Sequence, residues 1–89
     1  MTRPRLSEKQ QLRLRVLDGT QSLFHSSTAM IADRAHVSRQ QALGVLRSAR
    51  KRGYVEMETS TGSAIVWRLT PAGQAERLRL GLLALGRRA

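Results

Sequence analysis

The spacing of apolar residues predicts that the chain begins with a helix. Its apolar stripe consists of Leu12, Val16 and Leu17. Ser7 is placed to cap this helix, with Gln10 reaching back to it as in a capping box, and Asp18-Gly19 ends the periodic segment. The alternation of apolar and basic residues at 12–16 also fits a strand, so the pattern alone leaves both structures open.

Two further helices are predicted with only a short turn between them. The first covers residues 28–35, with Ser27 or Thr28 as its cap, and its apolar residues at turn spacing are Met30, Ile31 and Ala35. The second is capped by Ser38, runs from about residue 39 to 52 and ends before Gly53. Its core face is made of Ala42, Val45, Leu46 and Ala49. Ala32 is small where the two helices cross, and Ala35 and Val37 fill the corner beneath the turn.

Strand-favouring residues form the next two segments. They cover residues 54–59 and 64–69, and Ser60-Thr61-Gly62-Ser63 separates them, which predicts a hairpin. Thr70-Pro71 then begins a last helix over residues 71–86. The length of 89 residues allows one hydrophobic core, so we expect a single domain over residues 1–89 with a mostly helical α+β fold.

Two segments carry a family resemblance. Residues 31–41, Ile-Ala-Asp-Arg-Ala-His-Val-Ser-Arg-Gln-Gln, resemble the bihelical unit of the winged helix-turn-helix family. Leu69-Thr70-Pro71-Ala72-Gly73 resembles the junction after the wing in MarR-type regulators. The resemblance covers about residues 10–85 and implies three helices, a two-stranded wing and a C-terminal helix. His36 stands where the family has glycine, at a position that usually needs a positive φ.

The charge of the chain points to a polyanionic partner. Sixteen Lys and Arg residues against six Asp and Glu give a formal charge of +10 at pH 7. A GC-rich coding sequence explains the excess of Arg over Lys equally well. Between Arg34 and Arg52, however, no acidic residue occurs, whereas an ordinary solvated helix face mixes both signs. We therefore expect double-stranded DNA as the partner.

The residues expected to contact DNA lie on the outward face of the third helix, with one more on the hairpin. They are Ser38, Arg39, Gln40, Gln41, Leu43, Gly44, Arg47, Arg50, Lys51 and Arg68. Side chains at the start of the helix are placed to read base edges, and later ones to hold phosphates. A glycine inside a helix costs stability, so either DNA or a neighbouring helix is expected to approach Gly44 closely. The hairpin is expected to contribute little, because Glu56 and Glu58 would oppose phosphates, and Trp67 is assigned to the core.

The last helix has more leucine than one packing face requires. Leu78, Leu82, Leu83 and Leu85 are expected to form a homodimer interface. A fully packed helix of a monomer and an amphipathic helix on a membrane surface are the alternatives.

Together these features predict a sequence-specific regulator of transcription, most simply a repressor that occludes a promoter. The alternatives are an accessory DNA-binding protein in plasmid or phage replication, partition or recombination, and a winged helix used for protein contacts. Without cysteine or a catalytic constellation, we expect no enzyme activity, no metal and no cofactor. The chain is short of the helices that shape effector pockets in MarR-type proteins, so no small-molecule effector is expected. No signal-peptide pattern or membrane-length apolar run is present in the sequence, which favours a cytoplasmic, nucleoid-associated protein without a membrane partner.

Overall fold

Four helices and three short strands make up the part of the chain that the computed structural model describes, residues 6–59 and 64–85. In chain order they are α1 (Glu8–Gly19), β1 (Ser26–Ser27), α2 (Thr28–Ala35), α3 (Arg39–Lys51), β2 (Val55–Thr59), β3 (Ile65–Leu69) and α4 (Pro71–Ala84). The predicted helices and hairpin strands are confirmed, and residues 12–16 are helical. The predicted turn at 60–63 and the end of the last helix at residue 86 lie outside the described residues.

Each helix begins at a hydroxyl residue that accepts a hydrogen bond from a backbone N–H of the first turn. These residues are Ser7, Ser27, Ser38 and Thr70. A cap of this kind contributes about 1 kcal/mol of helix stability. The capping box of Ser7 and Gln10 is confirmed, and α3 has a second one, in which Gln41 is the partner of Ser38.

The sheet has one strand more than the two-stranded wing that the sequence predicts. β3 lies in the middle, paired antiparallel with β2 on one side and with the two-residue β1 on the other. Ser26 is opposite Trp67 and Ser27 is opposite Val66. A strand of two residues has no readable periodicity, which is why the sequence pattern missed it. Through β1, the hairpin is connected directly to the start of α2.

The core lies between the first three helices and one face of the sheet. Its buried members are Val16, Leu17, Ile31, Ala35, Leu46, Ala49, Val55, Trp67 and Leu69. Trp67 is a core residue, as expected, and its indole Nε1 donates a 2.9 Å hydrogen bond to Thr28 Oγ1. Met30 was expected at turn spacing with the apolar face of α2 but is exposed, because Ile31 and Ala35 fill the side that meets the core.

The turn between α2 and α3 depends on the left-handed backbone of His36. Its φ of 58° and ψ of 44° confirm the positive φ expected there. This conformation lets the N–H of His36 bond the carbonyl of Asp33 at 3.2 Å, and the N–H of Val37 bond the carbonyl of Ala32 at 3.1 Å. A non-glycine residue in this region carries a strain of roughly 1–2 kcal/mol. The turn therefore requires the left-handed backbone at this position, and the imidazole is the side chain that this residue carries.

A buried carboxylate joins α1 to α4. Glu76 accepts a 2.9 Å hydrogen bond from Arg13 on α1 and is also bonded by Arg79 one turn further along α4, at 2.8 and 2.9 Å. The hydrogen bonds of Arg79 and Arg13 hold the pKa of Glu76 below its usual range, against the effect of burial. Arg13 and Arg79 are thus bound to Glu76, and Arg13 links α1 to α4 in this way.

Gly73 sets the distance between α4 and the backbone that precedes β2. A Cβ at this position would overlap the carbonyl oxygen of Tyr54 and lie 2.7 Å from Leu69 Cδ1. The hydroxyl of Thr70 donates a 2.6 Å hydrogen bond to the carbonyl of Gly53 beside this contact. The close approach of helix and backbone leaves no space for a side chain.

We predict that Gly73→Ala lowers the free energy of unfolding by about 1–3 kcal/mol, because the backbone at Tyr54 has to shift. Gly81→Ala on the same helix is the matched control, since a Cβ there meets nothing within 4 Å. That control should gain about 1 kcal/mol from helix propensity. Urea denaturation followed by circular dichroism measures both variants, and equal stabilities would contradict the packing role of Gly73.

Candidate nucleic-acid interface

One face of α3 carries exposed cations that no carboxylate neutralises. Gln40, Gly44, Arg47 and Lys51 lie along this face, opposite the buried side of the helix. The ion pairs of the described residues join Asp18 to Arg77, Glu56 to Arg68, Glu58 to His25, and Glu76 to Arg13 and Arg79. Within the described ranges, none of them involves a residue of α3. The helix therefore presents its positive charge to solvent.

The first turn of α3 combines capping with exposed polar side chains. The hydroxyl of Ser38 accepts a 3.1 Å hydrogen bond from the N–H of Gln41, and Gln41 Oε1 accepts one of 3.2 Å from the N–H of Ser38. These two predicted DNA-binding residues thus fix the helix start. Arg39 and Gln40 are exposed beside them, so they are the long side chains of this turn that remain available to a ligand.

Gly44 lies in the middle of the exposed face with open space around it. A Cβ there would meet nothing within 4 Å. Of the two explanations given for this glycine, close packing of a neighbouring helix therefore finds no support in the described part of the chain. Close approach of DNA to this residue stays a prediction.

Arg34, at the start of the basic stretch, has an internal role. Its Nη1 donates to the carbonyl of Gly19 at 2.8 Å and to the hydroxyl of Ser26 at 3.0 Å. It joins α2 to the end of α1 and to β1. Beyond Arg34, the exposed Lys and Arg side chains of residues 35–52 belong to α3 and its C-cap, Arg52.

The two faces of the hairpin differ in chemistry. Arg68 bonds Glu56 at 2.8 Å, and His25 Nε2 lies 2.7 Å from Glu58 Oε1. Strand alternation places these side chains on the face opposite the one that carries Met57, Ile65 and Trp67, which lies beside α3. The bond to Glu56 also raises the pKa of Arg68. Glu56 and Glu58 therefore point away from the side of the hairpin that lies beside α3. The repulsion of DNA phosphates that the sequence suggested does not apply to that side.

A groove of about 620 Å³ separates α3 from the hairpin. Leu43, Met57, Ile65 and Trp67 form its apolar side, and Arg47, Arg50 and Lys51 form its basic side. Sequence reasoning identified the cations and Leu43. It missed Met57 and Ile65, because only the register of the hairpin decides which face a strand residue occupies.

The leucines of α4 divide between two sides of the helix. Leu78, Leu82 and Leu85 are 55%, 57% and 78% exposed, whereas Leu80 is buried. Leu83 is 36% exposed and falls between Glu76 and Arg79 around the helix, beside the buried face. Of the four leucines predicted to form an interface, three therefore share one exposed stripe.

The described residues contain no candidate membrane-spanning helix and no candidate metal site. No helix there has the length and hydropathy to cross a membrane. No group of three or more His, Cys, Asp or Glu residues there could hold a metal ion.

Solved structures share this arrangement of helices and strands. The DNA-binding protein Sso10a-2 from Sulfolobus solfataricus superposes with a TM-score of 0.74 over 84% of this chain and 76% of its own, at 13% identity. A MarR-family transcriptional regulator from Silicibacter pomeroyi gives 0.71 over 90% of this chain and 53% of its own, at 22% identity. A ZitR mutant from Lactococcus lactis, solved in complex with DNA, gives 0.61 over 89% and 53%, at 17% identity.

These similarities confirm the winged helix-turn-helix fold and the likeness to MarR-type proteins. The chain spans about half the length of the Silicibacter pomeroyi regulator and of ZitR. No protein-family model and no curated protein matches the sequence.

Proposed function

We propose that this chain binds double-stranded DNA through α3 and regulates transcription. The observation that carries the proposal is the exposed face of α3, whose cations have no carboxylate partner among the described residues. Similar solved structures are a DNA-binding protein, transcriptional regulators and a complex with DNA, which supports the same partner here. The activity is binding alone, so it requires no cofactor, and it belongs in the cytoplasm on the nucleoid.

In the proposed complex, the start of α3 reads base edges in the major groove. Arg39 bonds guanine and Gln40 bonds adenine, each through two hydrogen bonds. The capping box holds the first turn rigid, which limits the entropy lost when these side chains bind. Further along, Arg47, Arg50 and Lys51 bind phosphates. Arg68 has a minor part, because Glu56 already binds it on the other face of the hairpin.

A second copy of the chain completes the proposed regulator. Ala75, Leu78, Leu82 and Leu85 follow the 3-4-3 spacing of a coiled-coil seam on the exposed side of α4. A seam on a two-fold axis lets the same residues contact their own copies, and it would place two α3 helices on half-sites of a pseudo-palindromic operator. A protein bound in this way represses by occluding the promoter.

We predict that Arg39→Ala and Gln40→Ala each cost about 1–3 kcal/mol on the preferred sequence and much less on random DNA. Lys51→Ala should weaken binding to all sequences alike and reduce the slope of log affinity against log salt by about one unit per site. Fluorescence anisotropy over a salt series measures these quantities.

Lys9→Ala is the control for this experiment, because it removes the same charge from an exposed position of α1. It should leave the affinity close to that of the unaltered protein. Equal losses for Lys9→Ala and Lys51→Ala, or unchanged discrimination in the Arg39 and Gln40 variants, would mean that α3 is not the reading helix.

Gly44→Ala should change stability and binding in opposite directions. The methyl group fills open space, so the free energy of unfolding should rise by about 1 kcal/mol from helix propensity. In the complex the same methyl group occupies the space between α3 and the DNA, so the affinity should fall. Gly81→Ala on α4 is the matched control, because a Cβ there also meets nothing within 4 Å, and it should bind as the unaltered protein does. Unchanged affinity in Gly44→Ala would refute close approach at this residue.

Replacing Leu82 and Leu85 together with glutamine should yield a folded monomer whose DNA affinity is reduced, because two half-sites no longer act together. Sedimentation equilibrium gives the mass. Leu83→Gln is the matched control, since this leucine lies outside the seam, and it should remain a dimer. A mass of one chain for the unaltered protein at micromolar concentration would contradict the proposed dimer.

A further inference from the structure

Two large apolar side chains remain exposed in the loop between α1 and β1. Leu23 is 82% exposed and Phe24 is 66% exposed, and neither belongs to the hydrophobic core. They border a cavity of about 410 Å³ whose wall on the side of α4 is formed by Gln74 and Arg77. Apolar side chains of this size, adjacent on the surface, are typical of a contact with another protein.

The exposed stripe of α4 has the same spacing in both chain directions. Ala75 and Leu85 lie five residues on either side of Leu80, and Leu78 and Leu82 lie two residues on either side of it. Leu80 itself is buried on the opposite side of the helix. Two α4 helices that pair in opposite directions therefore place Leu78 of one copy against Leu82 of the other, and the small Ala75 against Leu85. Pairing in the same direction would put Ala75 against Ala75 and leave that layer poorly filled.

The antiparallel arrangement brings the end of one α4 to the loop of the other copy. Gln74 on the cavity wall is next to Ala75 in the chain, so Leu85 of the second copy reaches the level of the cavity. We propose that Leu23 and Phe24 bind this end of α4 from a second copy, and that each dimer contains the contact twice. The inference rests on the dimer of the proposed function. It adds a surface outside the seam and fixes the direction in which the helices pair.

The end of α4 has the exposure that such a contact needs. All four residues from 82 to 85 are exposed, on more than one side of the helix. Leu85 is second only to Leu23 in exposure among the large apolar side chains that the structure describes. The two most exposed of these side chains thus lie on the two surfaces that the antiparallel pair brings together. Each surface can be covered by the other.

Phe24→Ser should raise the dissociation constant of the dimer about tenfold to hundredfold, as for loss of one buried aromatic side chain. The side chain is exposed in a single chain, so the variant should keep the helical circular dichroism of the unaltered protein. Met30→Ser is the matched control, because Met30 is also exposed and apolar but lies on α2. It should dimerise as the unaltered protein does. Sedimentation equilibrium over a concentration series measures all three proteins.

Disulfide cross-linking reports the direction of pairing, because the chain contains no cysteine of its own. Phe24→Cys combined with Leu85→Cys should give a covalent dimer on oxidation. Leu85 lies eight residues beyond Arg77, the last residue of α4 on the cavity wall, which is about 12 Å along the helix. A disulfide joins Cα atoms less than about 7 Å apart, so the bond within one chain is out of reach. Leu85→Cys alone is the control and should give no covalent dimer.

The results separate this contact from the proposed function. A mass of one chain for the unaltered protein at micromolar concentration overturns the proposed dimer and this contact together. If the protein is a dimer, equal association of Phe24→Ser, no covalent product from the double variant, or a covalent dimer of Leu85→Cys alone overturns the contact only. If the dimer cross-links as expected but retains no duplex DNA, the proposed DNA binding fails and the contact stands.

Discussion

Trp67 connects the hairpin to the helix-turn-helix unit. The indole is 1% exposed and is part of the same core as Ile31 on α2 and Leu46 on α3. Its Nε1 donates to Thr28 at the start of α2, and its backbone is opposite Ser26 in the sheet. Burying so large a side chain is among the stronger contributions to a core of this size, and its hydrogen bond removes the cost of enclosing an N–H group. One residue therefore joins the hairpin to β1, to the start of α2 and to the core on which α3 packs.

The distribution of charge follows from that framework. The six carboxylates of the chain are outnumbered by its cations, and the ion pairs of the described residues lie at the α1–α4 contact and on the outer face of the hairpin. Exposed ion pairs contribute only about 0–1 kcal/mol each to stability. Their main effect is to keep the paired carboxylates away from α3. By using the acidic groups elsewhere, the fold leaves α3 as an uncompensated basic surface. A polyanion can then be attracted to this helix before specific contacts form.

Local chemistry in the sequence predicted much of this structure. The caps at Ser7 and Ser38, the helical spacing of α3 and the positive φ of His36 each depend on residues within a few positions of one another. Such features can be recognised without knowledge of the tertiary fold. The basic face of α3 was found in the same way, because a helix converts sequence spacing directly into a face.

What the sequence did not predict depends on contacts between distant segments. The need for glycine at position 73 comes from the carbonyl of Tyr54, and the burial of Glu76 depends on Arg13, far away in the sequence. The strand β1 exists only because Ser26 and Ser27 meet β3. Likewise, the hairpin residues that face α3 follow from strand register, so Ile65 could not be identified as part of the groove. Tertiary packing, rather than local preference, decides these features.

Selection of bound duplexes from a random DNA pool tests the central claim most directly, because it makes no assumption about the target. If α3 reads base edges and two copies act together, the selected sequences should converge on a pseudo-palindrome. Its half-sites should lie about 10 base pairs apart, or a multiple of that distance. Retention of DNA without any enriched sequence, or no retention at all at low salt, would contradict the account.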